Sequence, residues 1–258
     1  MLETQKYNTS LESYDNAEGA KNYIDFLNSE DGQFFRKILY ESFTSRLDGN
    51  NKDQKILDVA CGPGWLAADI ARTWKNVEAC DGSKEFINYA QKSFPRHIKF
   101  SLVDLNTQLP YADNEFDTLI MSMAAHDVED QVKTFTELRR ILKPGGKLML
   151  TMVNPYYAFP VGVWKRGIIG RLLRRMPRLL VRPYHWLAGK DSRNFTFNKT
   201  LECYFYKLSE HLNRITEAGF SLTHMMDLES KQDSPNYNLQ YRMHRFPVII
   251  YLEFIKPA

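Results

Sequence analysis

Residues 56–66 read ILDVACGPGWL, and two further acids follow it, Asp81 in EACDGS and Asp104 in FSLVDLN. Gly62 and Gly64 permit a turn whose backbone angles and close approach to a ligand a Cβ would block. Gly62-x-Gly64-x-x-Ala67 satisfies the loose dinucleotide fingerprint, so spacing alone leaves a pyrophosphate and a cationic ligand both open. The surrounding charge separates the two. Asp58 precedes the turn, and no Lys or Arg occurs from 56 to 71. A carboxylate about 5 Å from a phosphate opposes it by several tenths of a kcal/mol in water and by about 3 kcal/mol at an effective ε near 20. A positively charged ligand gains instead.

An acid about twenty residues after such glycines can hold a ribose diol, which by itself suits NAD equally well. Asp104, at the end of a third strand, can accept a hydrogen bond from the exocyclic amine of an adenine. Together the three acids suit an adenosine ligand bearing an ammonium and a sulfonium. A second group lies further on, in MSMAAHDVED. There His126 and Asp127 directly follow a strand and are candidates for a general base or for orienting an acceptor. Asn154-Pro155-Tyr156-Tyr157 is close to the N/D-P-P-Y/F motif of enzymes that methylate nucleic-acid bases, but it follows the fifth strand rather than the fourth. That position argues against base methylation.

The elements that must position these residues alternate. Short apolar runs at 55–60, 77–80, 98–102, 116–122 and 147–153 read as strands, and 65–74, 84–93 and 128–142 read as helices between them. Such βαβ alternation predicts an α/β fold with a parallel, doubly wound sheet whose ligands sit beyond the carboxyl ends of the strands. Before it, apolar residues at helical intervals between 14 and 47, broken near 29–32, predict one or two leading helices. Lys143-Pro-Gly-Gly146 reads as a helix stop and turn. After Val153 the regularity lapses for some fifty residues, a length more typical of a lid or binding loop than of a connector. A helix at 204–218 and strands at 220–226 and 246–254 close the chain.

At this point the sequence resembles the class I S-adenosylmethionine-dependent methyltransferases, in particular the small-molecule branch related to ubiquinone-biosynthesis enzymes. The resemblance runs from Lys55 to about Val153 and rests on four segments in order: ILDVACGPG, ACDGSKEFINYA, VDLNTQLPYADNEFDTLIMSMAAHDVED and ELRRILKPGGKLML. It departs from the family pattern at Ala60, where the family usually has a Gly; an Ala is tolerated there if its φ is negative. The resemblance implies a Rossmann-like doubly wound seven-stranded sheet, mostly parallel with an antiparallel last strand, N-terminal helices and a lid insertion after the fifth strand. It divides the chain into a helical cap (1–53), a core (54–153), a lid or substrate-binding insertion (154–203) and the C-terminal part of the sheet (204–258).

It also implies the site residues. Asp58 and the backbone of Ala60, Gly62 and Gly64, with Cys61 and Trp65 beside them, would hold the methionine part of S-adenosylmethionine. Asp81 would take the ribose hydroxyls, flanked by Gly82 and Ser83; Asp104 and Leu105 would clamp the adenine. Met121 and Ser122 would face the methyl group. Tyr7 and Tyr14 would close over the donor, and His126, Tyr156, His185 and Tyr206 are candidates for the acceptor pocket. The expected activity is methyl transfer to a small molecule; an NAD-type oxidoreductase and a non-catalytic S-adenosylmethionine-binding protein are the competing readings.

Bulk properties narrow the partners. The formal charge of +3 is too mild to indicate nucleic-acid binding. The basicity is local, with eight Lys or Arg and no acid between 161 and 190, so the rest of the chain is net negative. Within it, 164–187 interleaves Arg with Leu, Ile and Trp, a pattern suited to a lid rim, to an acidic or lipophilic substrate, or to peripheral contact with an anionic membrane. Cys61, Cys80 and Cys203 form no CxxC pair and no metal spacing, so neither a disulfide framework nor a metal site is expected. No run approaches the length of a spanning helix and the first ten residues are polar, which predicts a cytoplasmic protein.

Overall fold

The computed structural model describes residues 14–128, 130–154, 193–197, 201–204, 206–229 and 249–258. Two leading helices, α1 (Ala17–Asn28) and α2 (Glu30–Thr44), are separated by Ser29 alone. Asn16 caps the first through its side-chain oxygen, which accepts from the Gly19 amide at 2.8 Å. Ser29 ends α1 and caps α2 by accepting from the Gly32 amide at 3.2 Å. The elbow is tight: a Cβ on Gly32 would stand 1.9 Å from the Phe26 carbonyl oxygen.

The alternating elements follow as β1 (Lys55–Val59), α3 (Trp65–Ile70), β2 (Asn76–Asp81), α4 (Lys84–Ser93), β3 (Lys99–Leu102), β4 (Phe116–Ser122), α5 (Gln131–Ile141) and β5 (Leu142–Val153). Then come β6 (Arg193–Phe197), β7 (Leu201–Tyr204), α6 (Leu208–Glu217), β8 (Ser221–Leu228) and β9 (Ile249–Ile255). Seven strands form one sheet in the order β3-β2-β1-β4-β5-β9-β8, and β6 pairs with β7 in a separate hairpin. All neighbours from β3 to β5 are parallel, while β9 is antiparallel to both β5 and β8. The sheet is therefore the expected one, with its last strand reversed.

The inner strands β1 and β4 are buried on both faces, as those of parallel sheets are. In β1, Leu57 and Val59 join the core with Phe116, Phe135 and Ile215, whereas Ile56 joins that with Phe43, Ile70 and Tyr251. This alternation fixes which strand-tip side chains reach which face. Strand order reverses between β1 and β4, so a cleft opens beyond their carboxyl ends.

The structure departs from the sequence reading at several boundaries. The helix expected at 65–74 stops at Ile70, and the Trp74 indole instead donates to the Asp48 carbonyl at 3.3 Å. The segment KPGG is absorbed into β5: Leu142 pairs with Phe116, the register shifts, and Lys147 pairs with Thr118. The Gly145 amide there donates to the Lys256 carbonyl at 2.8 Å, tying the turn to the end of β9. The hairpin of β6 and β7 lies within the stretch read as irregular, and α6 starts at Leu208 rather than 204 because β7 continues to Tyr204.

Candidate active site

The turn after β1 holds three successive left-handed positions at alternate residues, Ala60 (φ 54°), Gly62 (φ 54°) and Gly64 (φ 85°). Two hydrogen bonds fix it: the Cys61 amide donates to the Cys80 carbonyl at 3.0 Å, and the Gly64 amide to the Cys61 carbonyl at 3.1 Å. The requirement at Gly64 is steric as well as conformational, because a Cβ would stand 2.7 Å from the Phe100 ring. Ala60 does not meet the condition of a negative φ under which an Ala would fit without strain. An L-residue in this region costs about 1 kcal/mol, which the surrounding turn imposes.

Asp58 is almost fully buried, and neither of its carboxylate oxygens has a hydrogen-bond partner. Burial drives its pKa up to about 8, and the Asp81 carboxylate adds to the rise. The Ala67 amide pulls it the other way without closing a hydrogen bond of ordinary length. Asp81 is built differently. Its two oxygens accept from the Gly62 amide at 2.7 Å and the Ser83 amide at 2.8 Å, so it fastens the glycine turn to the start of α4. Burial again raises its pKa, to about 6, with Asp127 and Asp15 contributing and the two amides opposing.

Asp104 lies two residues beyond β3, exposed, in a turn where its side chain accepts from the backbone and side-chain nitrogens of Asn106, both at 2.9 Å. Even so, Asp104 and Leu105 border the same cleft as Asp58, Ala60, Cys61, Gly62 and Trp65, with Asp81 and Gly82. Ser83 is wholly buried as the cap of α4; its hydroxyl donates to the Tyr14 carbonyl at 2.8 Å, and the Lys84 amide donates to Asp15 at 2.8 Å. These bonds dock the start of the described chain on the cleft, and Tyr14 lines it.

At the tip of β4, Ser122 lines the cleft, with its hydroxyl 3.3 Å from that of Thr151. Met121 does not line it: it belongs to the fully buried core, and Met123, left-handed at φ 59°, takes the cleft-lining place. A 3₁₀ turn (Ala125–Asp127) follows and brings Asp127 to the cleft. His126 is buried outside the lining, its Nε2 4.0 Å from Asp127 Oδ2. The turn is held by Gln131, whose amide nitrogen donates to the Ala125 carbonyl at 2.6 Å and meets His211 Nδ1 at 3.0 Å. Burial, with His126 and Arg214 nearby, lowers the His211 pKa to about 3, so this ring stays neutral. Tyr206 packs edge-on against His211 and under Arg214, away from the cleft lining. Tyr7, Tyr156 and His185 lie outside the described residues, as does the whole of 164–187.

Sequence reasoning missed Tyr23. This α1 residue lines the cleft, packs against Tyr14 and Phe86, and has its phenol pKa pushed well up by burial and by the Asp127 and Asp81 carboxylates. Its helical spacing marked it only as a core position. The arrangement suits a ligand with positive charge. A buried carboxylate without a donor favours an incoming ammonium. Beside it Gly62 leaves the backbone open to a ligand, since even a Cβ there would stand 3.8 Å from its nearest neighbour, the Tyr23 ring.

Known proteins bear on the fold and on the family of its core. The family model of the methyltransferase domain matches residues 57–150. The chain is 32% identical over 127 residues to a demethylmenaquinone methyltransferase of Paenarthrobacter aurescens, an alignment covering 49% of this chain and 48% of that one. It spans about half the length of the curated relatives it matches. Its fold is similar to an S-adenosylmethionine dependent methyltransferase from Mesorhizobium loti, with TM-score 0.61 and 20% identity over 84% of this chain and 97% of that one. It is also similar to the cyclase SpnF, with TM-score 0.64 and 18% identity over 97% and 98%. Residues 57–150 thus match the methyltransferase domain model, and the seven-stranded sheet they contribute to has the fold of an S-adenosylmethionine dependent methyltransferase.

Proposed function

We propose that this chain transfers the methyl group of S-adenosylmethionine to a small, lipophilic acceptor. The observation that carries the reading is Asp58, a buried carboxylate with no partner, next to a glycine turn and a second carboxylate that is already fastened. Asp58 would hold the methionyl ammonium, Asp81 the ribose, and Asp104 with Leu105 the adenine. When bound, the cofactor supplies an activated methyl group on a sulfonium. The protein's part is to align the two reactants and exclude water, because the departing thioether is neutral and needs no acid.

The acceptor side of the cleft is mainly apolar, with Met123, Ala124 and Val128 around the single carboxylate of Asp127. That favours Asp127 over the buried His126 as the group that orients an acceptor or takes its proton. Relatives named as demethylmenaquinone methyltransferases support a lipophilic acceptor. We assign 154–203 to substrate binding and lid closure, and its basic part, 164–187, to an acidic group on the substrate or to an anionic membrane surface. No helix among the described residues is long and apolar enough to cross a membrane, and we place the protein in the cytoplasm.

Titration calorimetry with S-adenosylmethionine, its demethylated product and NAD tests the donor, and a tritiated-methyl assay against lipid extracts tests the transfer. Binding of the first two with label entering an extractable product is expected. Binding of NAD alone would reject the reading, and donor binding with no labelled product would reduce it to a binding protein. The second outcome matters because one similar fold bears the name of a cyclase.

A further inference from the structure

The 3₁₀ turn that carries the acceptor side of the cleft has its path fixed by three hydrogen bonds. The left-handed Met123 donates its amide to the Thr151 carbonyl at 2.8 Å, and the Asp127 amide donates to the Ala124 carbonyl at 2.9 Å. The third comes from a side chain, Gln131 Nε2, which donates to the Ala125 carbonyl at 2.6 Å. Gln131 is in turn gripped from α6, with His211 Nδ1 3.0 Å from its amide nitrogen and 3.1 Å from its amide oxygen. Both side chains are buried, and neither lines the cleft. Neither carries charge at neutral pH, because burial keeps the His211 ring from protonating. A buried neutral pair of this kind adds little net stability over apolar side chains of the same shape, but it fixes one geometry.

We infer that Gln131 and His211 are positioning residues for the acceptor: they set the turn that presents Asp127 to it. The inference rests on the reading of Asp127 given above. Ala125 and Asp127 are the two ends of a turn of three residues, so a shift of the Ala125 carbonyl carries the carboxylate with it. The donor side has its own fastening, from the Gly62 and Ser83 amides to Asp81, and shares none of these bonds. His211 also joins the turn to the chain returning from 154–203. Tyr206 packs edge-on to its ring at 5.4 Å, and β7 lies against the turn itself. The segment assigned to substrate binding and the carboxylate assigned to the acceptor thus lean on one buried pair.

The test uses the full chain, the tritiated-methyl assay on lipid extract, and calorimetry with S-adenosylhomocysteine. Gln131→Met and His211→Phe should each slow transfer at saturating donor by about 20-fold, since small misplacements at a reacting centre are costly. Affinity for S-adenosylhomocysteine should stay within about twofold, which also shows that the variants are folded. His211→Asn puts an amide in the place of Nδ1 and should keep the rate within about threefold of wild type. Asp127→Asn should slow transfer as well. Adding His211→Phe to it should cost no more than about a further twofold, because the ring acts through that carboxylate. Losses that multiply, single variants at the wild-type rate, His211→Asn as slow as His211→Phe, or an equal loss of S-adenosylhomocysteine affinity would each overturn the inference. If His211→Phe does not fold, Gln131→Met takes its place beside Asp127→Asn. No labelled product from the wild type would instead reject the transfer reading, and a wild-type rate in Asp127→Asn would reject the role of Asp127; either takes the inference with it.

Discussion

The tips of β1 and β2 bring the same residue type to one cleft in opposite states. Asp81 has both oxygens filled by backbone amides and holds the turn together, whereas Asp58 has neither filled and holds nothing. One carboxylate is therefore part of the scaffold; the other costs stability, a cost that the ammonium of the proposed donor would offset. Asp58 is level with Ala79 in the register, so Asp81 lies two residues further out, where the backbone amides of Gly62 and Ser83 meet it.

Asp81→Ala should have the largest effect. It strips two buried amides of their acceptor, so stability should fall by about 2 kcal/mol and donor affinity by about 100-fold, read by thermal denaturation and calorimetry. Asp58→Asn should split those two readouts: donor affinity falls about tenfold while the unliganded protein is equally stable or gains up to about 1 kcal/mol. If both variants lost stability alike, the contrast between the two tips would be wrong.

A smaller effect is the pH dependence. The folded-state pKa of Asp58 is about 8, well above that of a carboxylate in an unfolded chain. Between those values the folded protein binds the extra proton, so stability of the unliganded form declines as pH rises through that window, with Asp81 contributing below about 6. A cationic donor prefers the ionised form. Its binding near pH 7 should release protons, measured as a dependence of the apparent enthalpy on buffer ionisation enthalpy, and Asp58→Asn should abolish most of that release. The smallest expected change is Ala60→Gly, which relieves a left-handed Ala but adds freedom to the unfolded chain. A net gain of about 0.5 kcal/mol with unchanged donor affinity should appear in chemical denaturation.

Much of this was legible in the sequence, for physical reasons. Residues 56–66 combine a buried parallel strand with a turn whose left-handed positions favour glycine, so the gathering of Asp58, Gly62 and Asp81 at one cleft could be read from pattern and charge. The methionines of MSM could not be told apart, because which one meets the cleft depends on Met123 taking a left-handed φ at the strand end. The sequence sets that conformation through a backbone bond, Met123 amide to Thr151 carbonyl at 2.8 Å, on a strand nearly thirty residues away. Tyr23 was invisible for a related reason: helical periodicity identifies the inward face of α1, but not that this face meets a cavity as well as a core. The hairpin of β6 and β7 escaped because short strands separated from the main sheet leave no long periodic signal.

The reversed strand β9 is inserted between β5 and β8. Residues 249–255 are thus the last of the sheet to leave the ribosome and yet occupy its interior, with Tyr251, Leu252 and Phe254 fully buried. Until they are synthesised, β5 presents an open edge and β8 has no neighbour in the sheet, so a nascent chain halted before residue 249 should expose unpaired strand edges that only the last strand covers.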